Sequence, residues 1–226
     1  MNFEKVLREA TPLLLEGLQL TIGISLLSLL IGFFVGLAAC LMGMSKNKIL
    51  KGISATYVWI IRGTPMIVQA FVVYFGFPQL IQALIDPSFT LTPFTAGVIT
   101  LSLNAGAYLS EIFRGGIQAV DIGQVEAARS LGLSAGKTML KVVLPQALKI
   151  SIPSLVNQFI ITVKDTSILS VIGLAELVNK AKIYVGATYQ FFATYIFVAV
   201  YYLVIISVLM VLSKFVEKKF NYDKKG

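Results

Sequence analysis

A chain of 226 residues that is 57% hydrophobic and only 13% charged is not an ordinary soluble domain, where about a quarter of residues carry charge. Its net charge of +8 does not make a nucleic-acid face, because the basic residues gather at the ends of apolar runs. There is no histidine and one cysteine, Cys40, which excludes an intrachain disulfide, a His/Cys zinc site and histidine-based catalysis, and leaves no metal ligands or catalytic residues to assign.

Residues 1–11 set Phe3, Val6, Leu7 and Ala10 against charged neighbours, the pattern of a short helix lying in a membrane interface. A membrane crossing takes about 20 mostly apolar residues. Five stretches qualify, at roughly 13–43, 57–85, 94–113, 148–172 and 189–213, so the expected fold is an all-α membrane protein, one transmembrane domain over 1–226. The first two stretches are long enough to imply tilt or a partly interfacial helix. The LAAC at 37–40 looks like a lipidation box, but its apolar run begins near Leu18, too late for a signal peptide. Cys40 is therefore expected to face lipid or packing, and the chain, starting at Met1, to be unprocessed. Pro65 is expected to bend or start a helix near Thr64, since it cannot donate the usual bond. Residues 172–184 form a short amphipathic helix between the last two crossings.

Orientation follows from the short loops. Lys46, Lys48, Lys51, Arg114, Arg129, Lys137, Lys141, Lys149, Lys214, Lys218, Lys219, Lys224 and Lys225 lie on one side, thirteen in all. Only Lys5, Arg8, Lys180 and Lys182 lie on the other. The positive-inside rule puts the N-terminus outside and the C-terminus in the cytoplasm. Residues 114–147 then form one long cytoplasmic loop.

Within that loop, GLSAGKT at 132–138 nearly spells a phosphate-binding loop, but the first glycine falls one residue late, with Leu131 in its place. No strand pattern precedes it either. Helix formers run from Val125 to Leu131, Gly132 suits a helix C-terminus with positive φ, and Ser134 can cap a second helix running toward Leu144 and Pro145. Two short helices joined by a glycine turn are expected.

The spacing here is specific. Glu126-Ala127-Ala128, three residues, Gly132, nine residues, then Val142, Leu144 and Pro145 resemble the EAA loop of permease subunits in type I binding-protein-dependent ABC importers. Val142 stands where that pattern has isoleucine. RGTP at 62–65, EIFRGGI at 111–117 and KDTS at 164–167 resemble the polar amino acid branch of the family. The resemblance implies two permease subunits, identical or sister chains, around one path in the bacterial inner membrane. It also implies separate ABC ATPase subunits that hold the ATP and magnesium, an extracytoplasmic amino acid-binding protein, and no cofactor in this chain. Glu126, Ala127, Ala128, Gly132, Leu144 and Pro145 would carry the coupling to the ATPase, and the 172–184 helix would form part of an outer gate or a docking platform, or an ordered connection.

Polar groups inside crossings are costly and tend to face the protein interior. Thr100, Asn104, Tyr108 and Glu111 are spaced four, four and three apart, on one helix face; Ser154, Gln158, Thr162 and Asp165 form a second such face. For the amino acid that the resemblance implies, Asp165 or Glu111 would meet the ammonium. Asn104, Gln158 and Thr162 would supply hydrogen bonds, with Tyr108 on the same face and Gln69 a further candidate. A basic amino acid remains open. The alternatives are structural: Glu111 pairs with Arg114 and caps its helix, Asp165 pairs with Lys164 or a neighbouring subunit, and the amides hold helices together. An autonomous secondary transporter or channel is the competing function, but no internal repeat supports it and it leaves the EAA loop without a purpose.

Overall fold

The computed structural model describes residues 3–220, and among them there are helices and turns but no strand. Four helical stretches are long and apolar enough to cross a membrane, Phe3–Gly43, Met66–Leu84, Ala135–Ile172 and Phe191–Phe215, so this is a multi-pass membrane protein. Lys224 and Lys225, used above for orientation, lie outside the described residues.

Helix α1 (Phe3–Gly43) runs unbroken for 41 residues, through Pro12. At ~1.5 Å per residue that is roughly 60 Å, about twice a ~30 Å hydrocarbon core. The expected interfacial helix at 1–11 is therefore not a separate element. Its apolar side has found protein instead: Val6, Ala10 and Leu14 are buried against Leu177, Ala181, Tyr184, Ala193 and Val198.

Asn47 caps α2 (Lys48–Gly63), its side chain accepting from the Ile49 N–H at 2.8 Å. Thr64 and Pro65 are extended and end it. Helix α3 (Met66–Phe71) starts directly after Pro65 and continues through a π-helical turn (Val72–Gly76) into α4 (Phe77–Leu84). The expected crossing at 57–85 is thus cut, and only its 66–84 portion has the length and composition of a span.

Helix α5 (Pro93–Gln118) is capped by Thr92 and opens with a proline, whose missing N–H costs nothing there. It is not among the four candidate spans, although 94–113 was expected to be one. The reason is its role as the enclosed helix. Thr100, Ser102, Asn104 and Ser110 are all buried on it, and these polar groups dilute its apolar content.

Asp121 caps α6 (Ile122–Ser130), accepting from the Gly123 N–H at 2.6 Å, and Ser134 caps α7 (Ala135–Thr138). Helix α7 does not stop near Pro145 as a separate loop helix. It passes through a π-helical turn (Met139–Val143), whose wider bonding takes the Leu144 N–H back to the Met139 carbonyl, into α8 (Leu144–Asp165) and a 3₁₀ turn (Thr166–Ile172), with Pro145 just past the junction. Helix α9 (Leu177–Thr188) begins five residues later than the 172–184 reading, and α10 (Phe191–Phe220) closes the fold.

The core is built on close approach rather than bulk. A Cβ added at Gly36 would sit 2.7 Å from the Gly106 carbonyl oxygen, and one at Gly32 would sit 3.0 Å from that of Ser102. Ser28 and Cys40 continue this buried stripe of small residues on α1. Small residues at spacings of four let membrane helices touch backbone to backbone, where apolar burial alone gives little drive. Around that seam Cys40, Ala105, Leu109 and Phe113 form one buried cluster, with Leu155 of α8 packed against it. Cys40 is therefore a packing residue.

Candidate functional site

The break at Thr64–Pro65 creates the first part of the site. It ends α2 with Arg62 near its tip and lets α3 begin at a new angle, leaving unpaired carbonyls at the end of α2. Gln69 on α3 reaches back to them. Its Nε2 donates to the carbonyls of Ile61 (2.7 Å) and Thr64 (3.0 Å) and meets Thr64 Oγ1 at 3.0 Å. Its Oε1 accepts from Nδ2 of Asn104 at 3.1 Å, so one glutamine ties the α2–α3 joint to the enclosed helix α5. Asn104 is 7% exposed.

One turn further along the same α5 face, Tyr108 lies under a cation, with Arg62 Cζ 5.3 Å from its ring centroid. Glu111 is shared by two guanidinium groups, Arg114 at 2.9 Å and Arg62 at 3.3 Å. The Glu111–Arg114 pairing expected at three residues' spacing is present. Arg62 is an addition that sequence reasoning quoted only as part of a motif. A cation in the last turn of α2, three residues before Pro65 and far from the lysines of its first turn, was the available signal.

The α8 stripe is less connected. Thr162 is buried, and its hydroxyl donates to the Gln158 carbonyl at 2.9 Å, so it serves its own helix. Gln158 is buried one turn before it on the same helix. Asp165 is half-buried at the end of α8, with no hydrogen bond or salt bridge among the described residues. The structure thus brings Gln69, Asn104, Tyr108 and Glu111 into one chain of contacts, but no hydrogen bond joins that chain to Gln158, Thr162 or Asp165.

A buried carboxylate for which the sequence carries no partner signal holds α9. Glu176 is fully buried and caps α9, its two oxygens accepting from the N–H groups of Val178 (2.9 Å) and Asn179 (2.7 Å) while the Tyr202 hydroxyl donates at 3.4 Å. Burial pushes its carboxyl above the ordinary range, against the pull of those donors and of Lys182. Helix α9 is also tied to α1 by Lys180–Glu16 at 2.7 Å and by the Tyr184 hydroxyl donating to Glu9 at 3.1 Å.

At the opposite side, α6 and α7 form the glycine-jointed pair. Gly132 has φ +81°, with open space where a Cβ would point. The N–H groups of Gly132 and Leu133 donate to the carbonyls of Arg129 and Ala128, and Arg129 Nη1 donates to the Leu133 carbonyl at 2.6 Å. These bonds close the end of α6. Ala128 is buried, whereas Glu126, Ala127 and Leu131 face outward, Leu131 being 85% exposed. Leu144 is half-buried and Pro145 exposed, at the root of α8. A phosphate loop follows a strand; here GLSAGKT follows helix α6 and supplies one helix end and the next helix start.

Comparison with known proteins adds the following. Residues 29–222 match the family described as binding-protein-dependent transport system inner membrane component. The chain is 41% identical over 180 residues to the arginine transport system permease protein ArtQ of Bacillus subtilis, covering 80% of each. It is 39% identical over 184 residues to the nopaline transport system permease protein NocM of Agrobacterium fabrum, covering 80% of this chain and 76% of that one. The glutamine transport system permease protein GlnP of Escherichia coli is 39% identical over 181 residues, with 80% of each covered. Among solved structures, a chain of an amino acid ABC transporter with histidines superposes with a TM-score of 0.91 at 40% identity, covering 97% of this chain and 99% of that one. An inward-facing MetNI methionine ABC transporter chain matches at TM-score 0.76 and 19% identity, a likeness of fold alone.

Proposed function

This chain belongs to the family of binding-protein-dependent transport system inner membrane components, and from that premise we propose that it forms the path of an amino acid importer driven by ATP hydrolysis on separate subunits. Membership makes it the membrane permease component of an ABC importer. Its relatives are permease subunits, which are not themselves catalysts. On the proposed reading α5 is a fifth crossing, kept from lipid by α1, α2 and α8. The whole chain is one transmembrane domain in a bacterial inner membrane, its N-terminus outside and its C-terminus and α6–α7 in the cytoplasm.

The observation that carries the reading is the α6–Gly132–α7 turn. It presents Glu126, Ala127 and Leu131 outward, and α7 runs without interruption into the long helix ending at Asp165. Small Ala127 allows close docking in a cleft of an ATPase subunit, and Glu126 supplies a charge for a basic partner. A push on α6 would travel along one rod to the α8 stripe. ATP and magnesium belong to the ATPase, and this chain holds no cofactor. An extracytoplasmic binding protein delivers the amino acid, and a second permease subunit, identical or sister, completes the path.

For the substrate, Asn104, Tyr108 and Arg62 supply donors and a cation for a carboxylate, with Gln69 holding Asn104 in place, while Asp165 and Glu111 supply anions for an ammonium group. Among the described residues Glu111 is already held by two arginines and Asp165 has no such partner, which favours Asp165 as the ammonium ligand and leaves a basic amino acid open. Co-purification with a stoichiometric ATPase subunit, followed by ATP-dependent uptake of arginine, histidine and glutamine into proteoliposomes, tests the reading. Uptake without ATP would remove it in favour of an autonomous transporter.

A further inference from the structure

At one end of the bundle, where α1 finishes, α2 begins and α5 finishes, lies a cavity of about 290 Å³. Its α2 wall carries Lys51, Val58 and Trp59 and its α5 wall Ser110, Glu111 and Arg114. The chemistry is graded along α2. Lys51 sits in the first turn, Val58 and Trp59 lie seven and eight residues on, about 10–12 Å along the same helix face, and Trp59 is 75% exposed. The cavity therefore has a cationic mouth and an apolar, aromatic flank, the order of an amphiphile with an anionic head.

The charges do not cancel internally. Glu111 already receives Arg114 and Arg62, while Lys51 makes no salt bridge among the described residues. Ser110 is 96% buried, lines the cavity, and its hydroxyl makes no hydrogen bond among the described residues. A further donor thus faces the same space. We propose that this cavity binds the headgroup of an anionic phospholipid, its phosphate held by Lys51, Arg114 and the Ser110 hydroxyl and its acyl chain lying against Val58 and Trp59. A second copy of the chain fits less well, because the same end would bring Lys46, Lys48 and Lys51 against their own kind. The inference needs only that the chain lies in a bilayer; it does not depend on the solute carried.

The test is lipid retention by the full chain, purified with its co-purifying subunits and measured by native mass spectrometry against phosphatidylglycerol, phosphatidylethanolamine and inorganic phosphate. Phosphatidylglycerol should be retained over phosphatidylethanolamine. Lys51→Gln should lower that retention about fivefold, the effect of one cation near an anionic headgroup. Lys46→Gln removes the same charge away from the cavity and should leave retention unchanged, as should Lys51→Arg. Equal losses in Lys51→Gln and Lys46→Gln would overturn the site in favour of diffuse attraction. Displacement of the lipid by millimolar inorganic phosphate would make it a free-anion site. A disulfide between copies through Trp59→Cys, in a Cys40→Ala background, would show a second copy covering the face and sink the lipid assignment.

Discussion

Asn104 donates its side-chain amide to Gln69 across 3.1 Å, and Gln69 spends its own amide on the carbonyls freed where Pro65 ends α2. Because the glutamine nitrogen is fully engaged, the Asn104 carbonyl oxygen and second amide hydrogen are what the pair offers to a ligand. Asn104→Ala removes those groups and also frees Gln69. We expect roughly a tenfold loss in apparent substrate affinity, ~1.4 kcal/mol, with the complex still assembled. Gln69→Leu should damage assembly as well, because it orphans the α2 carbonyls. Uptake assays alongside size-exclusion profiles separate the two, and wild-type uptake in Asn104→Ala would make the pair packing alone.

Asp165 ends α8 half-buried, with the Lys164 charge acting on it but no hydrogen bond or salt bridge among the described residues. Asp165→Asn keeps the shape and removes the charge. Uptake should fall about tenfold or more for any amino acid whose ammonium meets it, and furthest for a basic one whose side chain does so. An unchanged uptake ratio of arginine to glutamine at wild-type rates would place the ammonium ligand elsewhere.

The α6–α7 turn should be sensitive to conformation and charge rather than to its lysine. Gly132 has room for a side chain but a positive φ, so Gly132→Ala should cost about 1–2 kcal/mol of local stability and the β-branched Gly132→Val more. Glu126→Lys should weaken docking by reversing an exposed charge. Both variants should insert in the membrane yet lose substrate-stimulated ATPase activity and uptake together. Lys137→Ala should be mild, and the isolated chain should show no ATP binding in an equilibrium dialysis experiment. Full coupling in both the Gly132→Val and Glu126→Lys complexes would strip the loop of its role.

Glu176 gives the fold a pH dependence of known sign. Its folded carboxyl holds its proton above the ordinary value of 4.5, so between that value and the folded one the unfolded chain loses the proton first. Stability from this group is fully present below 4.5 and falls as pH rises through that window. Glu176→Gln should flatten that slope. It should also destabilise the protein by roughly 1–3 kcal/mol, since an amide nitrogen would face the Val178 or Asn179 N–H. Thermal unfolding of the detergent-solubilised complex between pH 4.5 and 7 reads both effects; identical slopes would show that Glu176 is not responsible.

Orientation is tested by labelling. In a Cys40→Ala background, a membrane-impermeant thiol reagent added outside should reach Ser88→Cys and miss Gly136→Cys. The reverse pattern would invert the topology.

Much of this protein is decided locally and was therefore legible in the residues themselves. Pro65 cannot donate a backbone bond and holds Thr64 before it in an extended conformation, which favours the helix boundary found there. Gly132 tolerates positive φ and Ser134 accepts from a backbone N–H, so the helix–turn–helix of the loop is fixed by its own residues. The Glu111–Arg114 pair follows from a three-residue spacing on one helix.

What depended on distant residues was not legible. Hydropathy along the chain cannot distinguish a surface meant for lipid from one meant for another helix, because both are apolar. The amphipathic start of α1 accordingly read as interfacial until α9 and α10 covered it, and α5 read as an ordinary crossing until its buried polar residues showed it enclosed. Likewise a side chain in sequence has no partner. Only the fold brings Gln69 to Asn104 across 35 positions, Arg62 onto Tyr108 and Glu111, and Tyr202 onto Glu176. Periodicity puts residues on a common face of one helix; which faces meet is set by close approach of backbones, here at Gly36 against Gly106, and that is a property of two helices at once.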